Sequence, residues 1–211
     1  MEKIVFDTPT IVLGSGSPNR AKILTENGIP FVKKLIPIDE EHLNATIKHH
    51  GVSKAFAKRY VKMLAIEKQK PFVGNVENGA VITADTVAWL DGVILEKPLT
   101  KERCKTQHEF ISGKKAHAMT AHAVYFNGKA ASCVKVSVIG FEKLPPPLIE
   151  EICNEPATLQ CAGYCAGGAI KNYMWWKKNH ANNNRGLDVR VVRKLLKKVG
   201  FNVSSTYPYP S

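Results

Sequence analysis

Apolar runs alternate with polar turns along the chain and predict an alternation of strands and helices. Residues 10–14 form a short apolar run, which predicts a buried strand. The run leads into Ser17 and a proline, which are typical of a helix N-cap and first helical position. This helix is expected to end at Asn27-Gly28, and residues 31–37 predict a second strand. Strand, tight turn, helix and strand in this order are typical of an α/β protein.

Two pairs of apolar runs joined by turn dipeptides predict β-hairpins in the middle of the chain. Residues 80–90 are rich in branched side chains and connect to residues 93–95 through Asp91-Gly92. Residues 116–126 and 131–141 flank Asn127-Gly128. Asp-Gly and Asn-Gly between apolar runs are strong hairpin signals. Because hairpin strands pair antiparallel, we expect a mixed sheet rather than a purely parallel one.

Helices are expected on the faces of this sheet. Ser53 is a typical N-cap, and apolar residues keep helical spacing from there to about residue 67. Further helices are expected at residues 100–111, 145–153 and 188–199. The predicted fold class is therefore α/β, with a mixed twisted sheet flanked by helices.

The composition is that of a globular protein. The chain has 211 residues, of which 44% are hydrophobic and 23% charged, which suits a single domain. No apolar run approaches the roughly 20 residues of a membrane helix, and the first residues lack the pattern of a signal peptide. The five cysteines include no Cys-x-x-Cys, which indicates free thiols and a cytoplasmic location. Cys161, Cys165 and His180 lack a fourth ligand with sensible spacing, which disfavours zinc there.

The net charge of +12 is concentrated near the C-terminus. Residues 171–200 contain nine lysines and arginines against one acid, Asp188. A basic surface attracts polyanions, and Trp175-Trp176 could stack on bases, so a nucleic-acid or anionic-partner binding protein is one functional hypothesis. The simpler interpretation is a solvated helix face in a basic protein, with the tryptophans in a core or interface.

Three features carry possible chemistry. The turn from Gly14 to Ser17 opens a helix, where small residues and free N–H groups favour a phosphate, although a plain capped turn explains it equally simply. Asp85 lies inside an apolar strand, which suggests a metal ligand or a base unless the side chain points to solvent. Lys97 precedes a proline after the first hairpin and could bind a phosphate oxygen, or it is simply an exposed strand-end lysine. Together these features suggest metal-assisted phosphoryl or nucleotidyl hydrolysis.

An ordered series of motifs resembles the Maf proteins, nucleotide pyrophosphatases related in fold and chemistry to the inosine-triphosphate pyrophosphatases. The matching segments, covering about residues 11–163, are Leu13-Gly14-Ser15-Gly16-Ser17-Pro18-Asn19-Arg20, Ile38-Asp39-Glu40, Tyr60 to Lys68, Thr83-Ala84-Asp85-Thr86-Val87, Leu95-Glu96-Lys97-Pro98, Ile111-Ser112-Gly113 with His117 and Thr120, and Glu155-Pro156 before Cys161-Ala162-Gly163.

The resemblance implies a Maf-like domain at residues 10–202 with a cleft between two lobes, an N-terminal extension at 1–9 and a disordered tail at 203–211. It implies hydrolysis of a nucleoside triphosphate to the monophosphate and pyrophosphate with Mg²⁺, Mn²⁺ or Co²⁺, and a homodimer is common in the family. Asp85 and Glu40 would serve catalysis and hold the metal. The triphosphate would be bound by Ser15, Arg20, Lys68 and Lys97.

The chain departs from the family pattern at several positions. Asn19 replaces an arginine, the residues after Gly163 lack the expected glutamine, and Gly186-Leu187-Asp188 stands where Gly-Leu-Pro is usual. These changes leave base recognition open between pyrimidine, modified and methylated nucleotides. They also allow a third hypothesis, a homologue that binds nucleotides with impaired catalysis.

Overall fold

One mixed sheet of seven strands forms the centre of the protein. The structure is a computed structural model that describes residues 3–37, 50–165, 168–178 and 185–203. For residues 176–178 it describes the backbone. The strands are β1 (Ile4–Leu13), β2 (Val32–Lys33), β3 (Val76–Leu90), β4 (Val93–Leu95), β5 (Lys115–Phe126), β6 (Lys129–Phe141) and β7 (Met174–Lys178). The helices are α1 (Pro18–Glu26), α2 (Lys54–Glu67), α3 (Lys101–Ile111), α4 (Pro146–Asn154), α5 (Pro156–Leu159) and α6 (Val189–Lys198), with short 3₁₀ turns at Lys70–Phe72 and Gly168–Tyr173.

The sheet has the order β2-β1-β3-β5-β6-β7, and β4 pairs with the end of β3. Strands β2, β1 and β3 are parallel, whereas β3, β5, β6 and β7 pair antiparallel in turn. The prediction of a mixed sheet flanked by helices is therefore confirmed. The parallel part comes from the α/β opening, and the antiparallel part comes from the predicted hairpins.

One edge of β3 is shared by two short partners, which leaves a gap between them. β1 pairs with β3 as far as Ile82, and β4 begins its pairing at Ala88. On its other edge, β3 pairs with β5 without a break from Val81 to Trp89. Within the described residues, no strand pairs with positions 83–87 on the first edge. The sheet thus opens at this point, and Asp85 lies at its centre.

Separate apolar clusters support the two sides of this gap. One packs α1 and α6 against β1 and the first half of β3, around Leu13, Ile82 and Leu196. Another packs α3 and α4 against β4 and the far end of β3, around Leu95 and Ile152. These clusters correspond to the two lobes that the resemblance implied.

Three helices begin at side-chain caps where the sequence predicted a start. Ser53 Oγ accepts from Phe56 N at 3.1 Å, Thr100 Oγ1 from Arg103 N at 3.3 Å, and Asp188 Oδ1 from Arg190 N at 3.0 Å. α1 differs, because Ser17 has an extended backbone at the N-cap position but makes no side-chain cap hydrogen bond. The amide groups of the first turn of α1 therefore receive no cap from Ser17.

Strands β1 and β3 begin earlier than the sequence predicted, β2 is shorter, and β7 is an additional strand. β1 begins at Ile4 and pairs there with Val76, with an irregularity before Thr10. β2 is limited to two residues instead of the predicted 31–37. β7 was not predicted, and in it Trp175 lies across from Gly140, where an added Cβ would come within 2.0 Å of the indole. Trp175 thus lies against Gly140 but stays 36% exposed, so it is not part of the core.

The basic C-terminal helix is amphipathic. Its apolar residues belong to the first cluster, and its solvent face carries only cations: Arg190, Arg193, Lys194, Lys197 and Lys198. This arrangement fits a solvated helix face. No helix within the described ranges is long and apolar enough to span a membrane.

Candidate functional site

Asp85 forms the centre of the site, in the open stretch of β3. Its neighbours Ala84 and Val87 are buried, whereas Asp85 and Thr86 are partly exposed. Asp85 Oδ1 accepts from the backbone N–H of Thr86 at 2.7 Å, and Oδ2 forms an ion pair with Lys68 Nζ. The two side chains are only 14% and 17% exposed, so the two opposite charges lie together away from most of the solvent.

The end of α2 delivers Lys68 to this position. Lys68 is the C-cap residue of α2, where a cation also interacts favourably with the helix dipole. Thr83 Oγ1 donates to the carbonyl of Ala65 at 2.7 Å and so ties the last turn of α2 to β3, two residues from Asp85. The helix and strand are thus fixed relative to each other beside the site.

Arg20 links three separate segments next to Asp85. Its Nε donates to Gly186 O at 2.9 Å and its Nη1 donates to Ser15 Oγ at 2.8 Å, while Nη2 lies 3.5 Å from Thr86 Oγ1. The side chain is buried, with 9% exposure. Arg20 therefore holds the turn after β1, the approach to α6 and strand β3 in one arrangement.

Hydroxyl groups line the same region. Ser15 Oγ accepts from Ser17 N at 3.3 Å as well as from Arg20. Thr86 Oγ1 lies 3.1 Å from Thr120 Oγ1 on β5. The chain of contacts from Ser15 through Arg20 and Thr86 to Asp85 is continuous, so the structure brings together four of the predicted residues: Ser15, Arg20, Lys68 and Asp85.

The two glycines of the turn after β1 have different surroundings. A Cβ on Gly14 would lie 2.9 Å from Thr83 Cγ2 and 3.0 Å from Phe72, so Gly14 is required for packing within the protein. Gly16 is exposed, and a Cβ there would meet only Leu35, at 3.9 Å. The open backbone at Gly16 is the part of the turn that a ligand can approach.

Lys97 lies at the opposite end of the gap from Ser15. It is exposed and follows β4 by two residues. Pairing of β4 with β3 ends at Leu95, and the next carbonyl, Glu96 O, accepts from Gly163 N at 3.1 Å. Lys97 is also close enough to Cys161 to lower the pKa of its thiol. The hydrogen bond with Cys165 and burial outweigh this effect and raise that pKa. The predicted residue Glu40 lies outside the described residues.

A buried histidine supports the site from behind the sheet. His122 is the β5 partner of Ala84, and its Nε2 accepts from Asp188 N at 2.8 Å. Burial lowers the pKa of His122 to about 4, with Asp188 opposing the shift and Arg20 adding to it. The imidazole is therefore neutral at pH 7 and serves as an acceptor that positions the start of α6.

The donors at the gap fit a hard divalent cation. Mg²⁺ is commonly held by one or two carboxylates together with substrate phosphates and water. Asp85 provides one carboxylate in a partly exposed position, and the hydroxyls of Ser15, Thr86 and Thr120 lie in the same network. The same region combines a carboxylate with cations, which suits hydrolysis of a phosphate ester or anhydride.

Comparison with known sequences places this arrangement in a family. The family model described as "Maf-like protein" matches residues 10–199. The chain belongs to the Maf family. It is 30% identical to the dTTP/UTP pyrophosphatase of Pyrococcus abyssi over 194 residues, which cover 90% of this chain and 96% of the relative.

Other members of the Maf family bear different names. A nucleoside triphosphate pyrophosphatase of Corynebacterium glutamicum is 27% identical and covers 92% of this chain and 96% of its own. A 7-methyl-GTP pyrophosphatase of Pseudomonas aeruginosa is 33% identical over 158 residues, 74% of this chain and 77% of its own. Among solved structures, a HAM1 protein from Coxiella burnetii is 16% identical with a TM-score of 0.40, covering 88% and 90% of the two chains.

Gly186 and His122 belong to this network but were not predicted from the sequence. The carbonyl of Gly186 accepts from Arg20 across 166 positions of sequence, and His122 positions the following segment. A backbone acceptor carries no signal in its residue type. His122 did carry one, because a histidine inside the apolar run 116–126 requires a hydrogen-bond partner when it is buried.

Proposed function

We propose that this Maf protein hydrolyses a nucleoside triphosphate to the monophosphate and pyrophosphate. The observation that supports this most directly is the position of Asp85. It is an ionisable residue in the stretch of β3 that has a free edge, with Lys68 and the Ser15–Arg20 turn around it. Relatives that align over nine-tenths of the chain are named nucleotide pyrophosphatases.

In this mechanism Asp85 orients a water molecule and takes up its proton as the oxygen attacks the α-phosphorus. Proton transfer to a positioned carboxylate typically contributes about 10²–10⁴ in rate. The bond between the α-phosphorus and the bridging oxygen breaks, and pyrophosphate leaves. Lys68, Lys97 and the N–H groups at the start of α1 would stabilise the charge on the leaving group, where fixed donors are most effective.

The proposed reaction requires a divalent metal. Asp85 would hold it, together with Glu40 as the family resemblance implies. Such an ion neutralises phosphate charge and polarises the bond to be broken. Arg20, in contrast, is engaged with Gly186 and Ser15, so we assign it chiefly to positioning the turn.

The substrates proposed first are dTTP and UTP. Two relatives with that name, from Pyrococcus abyssi and Neisseria gonorrhoeae, are each 30% identical and align over at least 90% of this chain. The 7-methyl-GTP pyrophosphatase aligns over 74% of it, and the residues after Gly163 lack the family glutamine. A panel that includes dTTP, UTP and 7-methyl-GTP therefore tests the choice of base.

The point of cleavage is tested by hydrolysis in ¹⁸O-water with Mg²⁺ or Mn²⁺. The proposal expects pyrophosphate as product and the label in the monophosphate. Label found mainly in orthophosphate would show attack at the γ-phosphorus and contradict it. Activity should disappear with excess chelator and return with added metal, and full activity in chelator would contradict the role of the metal.

Asp85→Asn should lower turnover by about 10²–10⁴ while the protein stays folded. Asp91→Asn is a matched control, since Asp91 is an exposed acid at the turn that follows the same strand. Asparagine tolerates the positive φ of 47° at that position, so the control should keep its turnover. Equal activity of the two variants would remove Asp85 from the mechanism.

A further inference from the structure

Two cysteines and a histidine meet between α3 and α4. Cys104 and His108 are four residues apart on α3 and therefore lie on the same face of the helix. Cys153 comes from the last turn of α4. The three residues are 0%, 1% and 3% exposed and belong to the second apolar cluster or pack directly beside it.

The ligand atoms of these residues have the spacing of a metal site. The two sulfurs and one imidazole nitrogen all lie within 4.8 Å of one another. Cys104 Sγ lies 3.4 Å from His108 Nδ1. Ligands bound tetrahedrally to zinc at about 2.3 Å for sulfur and about 2.0 Å for nitrogen are separated by about 3.6 Å. The sulfur distance involves Nδ1, so side-chain rotation that brings the other ring nitrogen, Nε2, to the two sulfurs would be needed to coordinate the ion.

His108 provides a second, independent indication. Its Nδ1 lies 2.8 Å from the carbonyl of Cys104, whereas its Nε2 is buried and has no hydrogen-bond partner within the described residues. Buried polar atoms without a partner are uncommon in folded proteins. Because a carbonyl can only accept, Nδ1 of the neutral ring carries the proton, and Nε2 keeps the lone pair that a ligand would use.

We propose that Cys104, His108 and Cys153 form a structural zinc site that fastens α3 to α4. Thiolate and imidazole are the ligands that Zn²⁺ prefers. Two thiolates balance the charge of one Zn²⁺, so the complex is neutral, as a buried apolar setting requires. Each thiol releases its proton to the solvent when its sulfur bonds the metal.

The fourth coordination position is assigned to water. A bound water molecule would complete a tetrahedral shell without adding charge, so the complex with two thiolates would stay neutral. This site is separate from the proposed nucleotide chemistry, which needs a hard cation at Asp85.

The test uses the full-length, tag-free chain, reduced and kept free of oxygen. After loading with Zn²⁺ and removal of loosely bound metal, one zinc per chain should remain. At free zinc about 100-fold above the dissociation constant, the thermal midpoint should rise by about 5–10 °C. X-ray absorption at the zinc edge should show two sulfur ligands at about 2.3 Å, a reading that requires no mutation.

Variants identify which residues bind the zinc. Cys104→Ala with Cys153→Ala should abolish retention of the metal. Asp85→Asn should retain the zinc, which separates this site from the active-site metal. The double variant Cys161→Ala with Cys165→Ala should also retain the zinc, because that second pair of thiols is not part of the proposed site. Failure of the wild type to retain zinc, a shell of oxygen ligands, or loss of zinc from the Cys161 and Cys165 variant would overturn the proposal.

Discussion

Replacing Arg20 by lysine tests whether this buried residue positions the site. The guanidinium makes two well-formed hydrogen bonds, to Gly186 O at 2.9 Å and to Ser15 Oγ at 2.8 Å, besides the longer approach to Thr86. A lysine ammonium is a compact point charge and lacks the planar fork that reaches both acceptors. We therefore expect it to keep at most one of these hydrogen bonds.

The magnitude follows from the number of bonds lost. A hydrogen bond from a charged donor contributes about 1.5–3 kcal/mol, and Arg20 is only 9% exposed, so screening by solvent is limited. Losing one such bond should lower the free energy of unfolding by about 1.5–3 kcal/mol. For a domain of this size, the thermal midpoint should fall by about 3–12 °C.

Urea denaturation without nucleotide measures this effect, with Arg193→Lys as the control. Arg193 is an exposed arginine that donates to Asn27 O at 3.2 Å, so its replacement should change stability by less than about 0.5 kcal/mol. If Arg20→Lys is as stable as this control, the positioning role is wrong. A variant of unchanged stability with weaker nucleotide binding would instead assign Arg20 to the triphosphate.

Two further predictions concern stability. Ser53→Ala should lower the free energy of unfolding by about 1 kcal/mol because it removes a formed N-cap hydrogen bond. Ser17→Ala should lower it by less than about 0.5 kcal/mol because Ser17 makes no such bond. Equal losses for the two variants in urea denaturation would contradict this. The pKa of His122 is about 4 in the folded protein, below its ordinary value of 6.5. The unfolded chain therefore binds the proton first, and the free energy of unfolding should fall by about 3 kcal/mol as the pH drops from about 6.5 to 4. His122→Gln should flatten that part of the pH–stability curve, and an unchanged slope would show that His122 is not the group responsible.

Much of the fold could be predicted because its turns are determined locally. Asp91 and Asn127 both adopt positive φ, at 47° and 45°, which their short polar side chains tolerate and which two-residue hairpin turns require. The caps of α2, α3 and α6 were likewise visible in the sequence. Each of these signals depends on a few neighbouring residues.

The remaining parts of the fold depend on distant partners. Residues 4–9 join β1 because they reach Val76 and Glu77, and β7 forms because it finds the edge of β6. The contact between Trp175 and Gly140 is equally non-local. Neither segment has an apolar alternation strong enough to identify it as a strand by itself, so local patterns could not locate them.

The candidate site also combines features with a local sequence signal and features that depend on distant partners. Asp85 stands out in the sequence because a carboxylate interrupts a long apolar run. The reason that Asp85 can be reached is the break between β1 and β4 along one edge of β3, which depends on where two other strands end. Motif order indicated Ser15, Arg20, Lys68 and Lys97, but only the structure distinguishes the engaged Arg20 from the exposed Lys97.

The ion pair at the centre of the site is better explained by chemistry than by folding. The hydrogen bond from Thr86 N requires only an acceptor oxygen, which asparagine would supply as well as Asp85 does. Lys68 then compensates a charge that the fold itself does not need, and apolar replacements of such pairs are often neutral or stabilising. Folding alone thus gives no reason for a charge at the gap of the sheet with a cation beside it. Residues that break the local rules of a strand in this way are expected where a protein performs its reaction.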